Sequence, residues 1–248
     1  MPTSGPAGFV PFPPDRAARY RAAGHWTGRT VDSMLSDAAQ RWPTRVAVVD
    51  VAHQLNYAEL DERADRAATG LAELGIASGD RVLLQLLNGC EFAVALFALL
   101  RTGAIPVMCL PGHRAAELGH FATVSGATAL LITDTAQGFD YLPMAQALLQ
   151  DRPALRHVIV DGDPGPFVSW SQLCAHPSQR PARNPADPGS PALLLVSGGT
   201  TGLPKLIPRT HDDYVYNASA SAEVCGLTGD DVYLVALLPC PSRVGYPK

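Results

Sequence analysis

Apolar positions along this chain follow two patterns, helical spacing and short continuous runs, and the two alternate. In residues 30–42 the apolar side chains recur every three or four positions, with Val31, Leu35 and Trp42 on one face, and Pro43 ends the element. The same spacing predicts further helices over residues 57–75, 90–103, 113–126 and 211–226. Continuous apolar runs predict strands over residues 46–50, 80–87, 105–110, 129–134, 157–162 and 192–197.

The order of these elements predicts the fold class. The runs at 129–134, 157–162 and 192–197 lack alternation, which is typical of strands covered on both faces. Since strands and helices alternate, we expect an α/β fold: a doubly wound sheet with flanking helices and right-handed crossovers. The Pro-rich residues 1–29 are predicted to pack on a domain that occupies residues 30–248.

Charge and composition limit the classes of partner that the chain is expected to bind. The chain of 248 residues has 19 Lys plus Arg against 23 Asp plus Glu, a net charge of -4, with no block of like charges. A nucleic-acid or membrane partner is therefore not expected, and a small molecule or another protein is. The longest apolar run, residues 92–100, is much shorter than the roughly 20 residues that span a bilayer, so we interpret it as a buried helix.

The N-terminal residues and the cysteines suggest a compartment. The first 26 residues have neither a basic leader nor a continuous apolar stretch, so no signal peptide is expected. Five cysteines, none in a CxxC pair, are expected to be buried reduced thiols. Both observations favour the cytoplasm.

The most informative segment is "SGGTTGLPK", residues 197–205, which follows the last predicted strand and precedes the last predicted helix. A strand, a glycine-rich turn and a helix together present backbone N–H groups to an anion, and phosphate is the obvious guest. Glycines would let the backbone approach, hydroxyls would donate hydrogen bonds, and a lysine would supply positive charge. The residues expected to hold phosphate are Ser197, Gly198, Gly199, Thr200, Thr201, Gly202 and Lys205.

Other interpretations of this segment are open. It is not a Walker A loop, because Leu203 stands where glycine is required, and it does not fit G-x-G-x-x-G. A flexible Ser/Thr/Gly turn without a ligand would have the same composition.

The segment and its extension "KLIPRTHDDY" resemble the aryl-acid AMP ligases of the acyl-adenylate-forming superfamily, which activate salicylate or 2,3-dihydroxybenzoate in siderophore synthesis. Three upstream segments are similar to that family as well: "FVPFPPDRAARYRAAGHW", "LNYAEL" and "RTGAIPVMCLPGHRAAEL". The resemblance extends from about residue 9 to about residue 238. The loop resembles a signature of the whole superfamily, and the extension, which looks like the aryl-acid branch, is much more specific than the loop.

The resemblance implies a reaction and its participants. ATP, accompanied by Mg²⁺, would react with the aryl acid to give an acyl-AMP, and a thiol of an aryl carrier protein would then take the aryl group. The seven residues named above would hold the ATP phosphates. The resemblance assigns no catalytic residue and no magnesium ligand within these 248 residues.

The resemblance ends at the C-terminus. After "DDVYLVALL" the family continues with an "AHN"-like segment, whereas this sequence has "PCPSRVGYPK" and then stops. We therefore expect residues 30–248 to be an incomplete adenylation domain without the C-terminal domain, arising from a shifted reading frame or as a short product. Two rival interpretations are an acyl-CoA or fatty-acid ligase fragment and a noncatalytic remnant or nucleotide-binding module.

Three further groups of residues have alternative interpretations. His113, Glu117 and His120 fall at i, i+4 and i+7, a spacing that could hold a metal on one helical face or belong to an ordinary helix. His211 could orient the loop or stabilise the start of the last helix. Arg209 is expected to pair with Asp212 or Asp213 rather than to contact a nucleotide. No GxSxG elbow is present for a serine hydrolase.

The missing family segments predict that this chain alone does not make the adenylate. Phosphate binding without an aryl pocket cannot align a carboxylate for attack. The purified chain should show no salicylate-dependent exchange of pyrophosphate into ATP. Exchange above that of a sample without salicylate would contradict this expectation.

Overall fold

The computed structural model describes residues 9–177, 186–197 and 204–235. Eight helices are seen in this part of the chain: α1 Pro14–Ala22, α2 Val31–Arg41, α3 Tyr57–Glu73, α4 Cys90–Thr102, α5 Ala115–Ser125, α6 Leu142–Asp151, α7 Trp170–Cys174 and α8 His211–Val224. The same residues contain eleven strands: β1 Val46–Val49, β2 Gln54–Asn56, β3 Arg81–Gln85, β4 Ile105–Met108, β5 Ala129–Thr133, β6 Thr135–Ala136, β7 Phe139–Asp140, β8 His157–Asp161, β9 Val168–Ser169, β10 Pro191–Val196 and β11 Leu206–Thr210.

A seven-stranded sheet forms the centre of the fold. Its order is β11-β10-β4-β3-β5-β8-β9. The pairings from β10 through β9 are all parallel, and only β11 runs antiparallel to its neighbour. The predicted α/β class, with a sheet flanked by helices, is confirmed.

Both faces of this sheet are covered, as the continuous apolar runs predict. In β3, Val82 and Leu84 face a cluster that contains buried residues of α3 and α4. Leu83, between them, faces the opposite cluster, which contains residues of α5 and α6. Successive side chains of a strand point to opposite faces, so a strand covered on both faces is apolar throughout.

Helix ends follow the sequence signals closely. Asn56 and Glu59 form a reciprocal capping box at the start of α3. Gly103 ends α4 with φ 74°, a left-handed conformation that glycine adopts without strain. The nine-residue apolar run lies within α4, where Val94, Ala98 and Leu99 are fully buried, so its interpretation as a buried helix is confirmed.

Several elements differ from the sequence prediction. The run at 46–50 is not a strand of the central sheet, because β1 pairs with β2 in a separate two-stranded hairpin and Val46 and Val49 are exposed. Helix α1 lies inside the Pro-rich opening, where Pro14 occupies a first-turn position that needs no N–H donor. Helices α6 and α7 were not predicted either. These short helices pack against neighbouring helices as well as the sheet: α6 contacts α5 and β8, and α7 contacts α3, β8 and β9.

Cysteine burial is uneven. Cys90 and Cys109 are buried free thiols, and burial raises the pKa of Cys90 to about 11. Cys225 is exposed, so the expectation of uniformly buried thiols is wrong there. Cys240 lies outside the described residues. No helix among the residues described is both long enough and apolar enough to cross a bilayer.

One buried cation joins three helices. The side chain of Arg101 on α4 is only 2% exposed. It donates to Asp32 of α2 over 2.8 Å and to Asp65 of α3 over 2.7 Å, and it also pairs with Asp61 of α3. Burial lowers the pKa of Arg101, but the three carboxylates outweigh burial and raise it. The guanidinium therefore remains charged and fully engaged.

Replacing Arg101 with methionine should strongly destabilise the chain. The three carboxylates would keep their burial and lose their cation, a change that costs about 3–5 kcal/mol in buried ion pairs. Urea unfolding measures the loss. Arg19→Gln, which removes an exposed pair with Asp15, is the matched control and should change the free energy of unfolding by less than about 0.5 kcal/mol. A loss below about 1 kcal/mol for Arg101→Met would contradict the proposed role.

Candidate functional site

The base of the glycine-rich segment is closed by Ser197 and Lys205. The N–H of Ser197 donates to the carbonyl of Lys205 over 2.9 Å. In return, the Oγ of Ser197 accepts from the N–H of Lys205 over 2.8 Å. The Ser197 hydroxyl proton is not used in either bond, so it can be donated to another group. Gly198, Gly199, Thr200, Thr201 and Gly202 lie outside the described residues.

This closure lies at the carboxyl edge of the parallel sheet. Ser197 directly follows β10, which runs parallel to β4. In open α/β sheets, ligands bind outside the carboxyl ends of the strands. Lys205 is exposed at this edge, so its ammonium group is accessible to an anionic ligand.

The prediction that a helix directly follows the segment is wrong. A strand, β11, stands between the segment and the helix, and it pairs antiparallel with β10 from Leu206↔Val196 to Thr210↔Pro191. The segment therefore connects the two strands of a hairpin, and α8 begins at the far end of β11. Positive charge at the segment comes from Lys205 and not from a helix N-terminus.

The start of α8 is held by several polar contacts. Thr210 and Asp213 form a capping box, and Arg209 donates to Asp213 over 2.6 Å. Arg209 thus pairs with Asp213, one of the two expected partners. Asp212 instead accepts from Arg21 over 2.8 Å and from the N–H of Gly28 over 3.3 Å. These bonds connect the N-terminal segment to α8.

His211 has a structural position. The residue is 4% exposed, and its Nδ1 accepts from the N–H of Val31 at the start of α2 over 3.2 Å. Burial lowers the pKa of His211 to about 4, although Asp32, Asp212 and Asp187 oppose that effect. The neutral ring is therefore required for the bond to Val31, and His211 joins α2 to α8.

The three residues spaced as a possible metal face do not form a metal site. Helix α5 begins at Ala115, so His113 lies in the preceding turn, where its Nδ1 accepts from the N–H of Leu110 over 3.0 Å. Glu117 accepts from the N–H of Arg114 over 3.0 Å, and this bond lowers the pKa of Glu117. Within the described ranges, no three His, Cys, Asp or Glu side chains are grouped to hold a metal ion.

His120, the third of these residues, contacts the segment's base. Its Nε2 lies 3.0 Å from the carbonyl oxygen of Pro204, the residue before Lys205. Sequence reasoning missed this contact because 84 positions separate the two residues. No spacing rule relates residues so far apart.

The family of the chain follows from comparison with known proteins. The AMP-binding enzyme family matches residues 35–241, and the chain belongs to that family.

Two curated relatives show which members of the family this chain resembles. The chain is 69% identical over 256 aligned residues to a salicyl-AMP ligase / salicyl-S-ArCP synthetase of Mycobacterium tuberculosis, covering 98% of this chain and 45% of that protein. It is 43% identical over 240 residues to the 2,3-dihydroxybenzoate-AMP ligase of Bacillus subtilis, covering 97% of this chain and 43% of that protein. The resemblance to aryl-acid AMP ligases is confirmed.

A solved structure has the same fold over most of this chain. The apo structure of MbtA from Mycobacterium smegmatis matches with a TM-score of 0.86 and 60% identity over 91% of this chain and 42% of that one. The chain therefore spans under half the length of these relatives.

The buried neutral His211 predicts a loss of stability in acid. Its pKa is about 4 when folded and about 6.5 when unfolded, so the unfolded state binds more protons between those values and stability falls as the pH drops from 6.5 to 4. Burial raises the pKa of Asp161 to about 6, which acts in the opposite direction over part of this range. A comparison with a variant that keeps Asp161 cancels that contribution.

His211→Asn keeps a side-chain acceptor for the N–H of Val31 but removes the group that can be protonated. Between pH 7 and pH 4, the wild type should lose about 3 kcal/mol more of its free energy of unfolding than the variant does. Urea unfolding at a series of pH values measures the difference. His53→Asn, at an exposed histidine, should retain the wild-type profile. Parallel profiles for wild type and His211→Asn would show that the ring is not buried in its neutral form.

Proposed function

We propose that this chain carries the phosphate-binding part of an enzyme that activates an aryl carboxylic acid with ATP. The acid would be salicylate or 2,3-dihydroxybenzoate, and the product an acyl-AMP whose aryl group passes to the thiol of an aryl carrier protein. The observation that carries the proposal is the closed base of the segment, which places the exposed Lys205 at the carboxyl edge of the sheet. The identity to relatives that bear these activities in their names supports the substrate class.

The residues fit a polyphosphate guest. Lys205 is a compact point charge suited to phosphate, and the Ser197 hydroxyl has a proton to donate. Gly198, Gly199, Thr200, Thr201 and Gly202 would supply N–H groups and further hydroxyls. Magnesium would accompany ATP, and no residue of this chain is assigned to it.

The reaction needs charge and position more than proton transfer. An aryl acid with a pKa near that of Asp, about 3.9, is already a carboxylate at neutral pH, so no general base is required. A carboxylate oxygen forms a bond to the α-phosphorus of ATP, and the bond to the bridging oxygen breaks. Pyrophosphate leaves with that electron pair. Lys205 and the hydroxyls of the segment would stabilise the charge that develops on the leaving phosphates.

Replacing Lys205 with alanine tests the phosphate site. Charge-assisted hydrogen bonds contribute about 1.5–3 kcal/mol, so the variant should bind ATP and inorganic pyrophosphate at least about tenfold more weakly, as measured by titration calorimetry. Arg156→Gln is the matched control. It removes one positive charge at the opposite, amino edge of the sheet, just before β8, and should leave both affinities unchanged.

The outcomes decide whether Lys205 is part of a specific phosphate site. Equal losses of ATP affinity in Lys205→Ala and Arg156→Gln would indicate nonspecific attraction to net charge and would contradict a specific phosphate site. Binding of ATP by the wild type, lost in Lys205→Ala and without adenylate formation, supports a phosphate-binding part that requires further polypeptide for chemistry.

A further inference from the structure

The peptide group between Pro204 and Lys205 is hydrogen-bonded at both of its ends. Its N–H, from Lys205, donates to the Oγ of Ser197 over 2.8 Å. Its carbonyl, from Pro204, lies 3.0 Å from the Nε2 of His120. Because a peptide group is planar and rigid, two bonds at opposite ends fix its orientation about the chain axis. The orientation of the peptide group that leads into Lys205 is therefore fixed by two other elements: β10, through Ser197 directly after it, and α5, through His120.

The second of these elements is α5. This helix follows β4, and β4 is the neighbour of β10, so α5 lies beside the hairpin and contacts β11. The carbonyl of Pro204 has no proton to give, so Nε2 of His120 must carry the hydrogen of this bond. An Nε2 proton is present in one neutral tautomer and in the imidazolium form. The bond is thus compatible with either charge state of the ring.

The contact with His120 is not needed to close the hairpin. Ser197 already makes two hydrogen bonds with Lys205, and β10 and β11 pair along their length. His120 is only partly buried, so water can replace its bond to the Pro204 carbonyl at little loss of stability. What the bond adds is the orientation of one peptide group.

We propose that His120 is a positioning residue for Lys205. By holding the Pro204 carbonyl, it aligns the backbone from which the ammonium group reaches the phosphates of a nucleotide, and it does not itself contact the nucleotide. This inference rests on the proposed function, since it assigns Lys205 a phosphate ligand. It gives a role to a histidine whose spacing had suggested a metal ligand.

The test compares three variants. His120→Phe keeps a ring and removes the donor, and His120→Gln restores an N–H donor. Thr123→Val removes the hydrogen bond from the Thr123 hydroxyl to the Gly119 carbonyl, one turn further along α5. By titration calorimetry, His120→Phe should bind Mg-ATP and pyrophosphate about three- to tenfold more weakly, the effect of one lost hydrogen bond. His120→Gln should recover most of the affinity, and Thr123→Val should match the wild type.

A second readout does not depend on a nucleotide. Hydrogen exchange of the Lys205 amide, followed by NMR, should be faster in His120→Phe and return towards the wild-type rate in His120→Gln. An unchanged rate in His120→Phe would overturn the inference, as would unchanged ATP affinity in that variant. Equal weakness of the Phe and Gln variants would also overturn it, because the donor would then not matter.

The two proposals can fail separately. If Lys205→Ala binds ATP like the wild type, the phosphate site itself is wrong. If Lys205→Ala binds weakly while His120→Phe binds normally, the phosphate site stands and only the positioning role of His120 is lost.

Discussion

A buried guanidinium determines how the helices on one face of the sheet sit together. Arg101 of α4 engages carboxylates on both α2 and α3, and its side chain is almost entirely removed from water. Helix α2 begins at Val31, whose N–H is bound by the buried ring of His211 at the start of α8. Helix α8 in turn follows β11, the strand that starts after Lys205. The base of the glycine-rich segment is thus connected, element by element, to a charge cluster in the interior.

The contrast between β3 and β11 shows which parts of the fold local sequence can specify. In β3 every side chain from Val82 to Gln85 is buried, so a run of large apolar residues is enough to predict it. In β11 the side chains from Leu206 to Arg209 are exposed or partly exposed, and within this strand only Thr210 is buried. Pro208 has no N–H to donate, which an edge strand tolerates. The existence of β11 depends on pairing with β10, and no local pattern contains that information.

The candidate site divides in the same way. Ser197 and Lys205 are candidates because of their residue types in a glycine-rich segment, since close backbone approach and positive charge are what a phosphate requires, and their role as phosphate ligands stays a prediction. The hydrogen bonds that fix Lys205 could not be predicted, since His120 reaches it only through the packing of α5 beside the hairpin. Similarly, Asp212 was a candidate partner for Arg209 by sequence distance, but it pairs with Arg21 of α1.

Closure of the segment by Ser197 and Lys205 also limits its span. The two residues are eight positions apart and held at hydrogen-bond distance. An extended chain advances at most about 3.5 Å per residue, so a loop that leaves and returns over eight steps reaches no more than about 14 Å from its base. Under the proposed function, a phosphate held by this loop would lie within about that distance of the Lys205 backbone. The length of the connection between β10 and β11 would then limit how far from the sheet edge a polyphosphate could be bound.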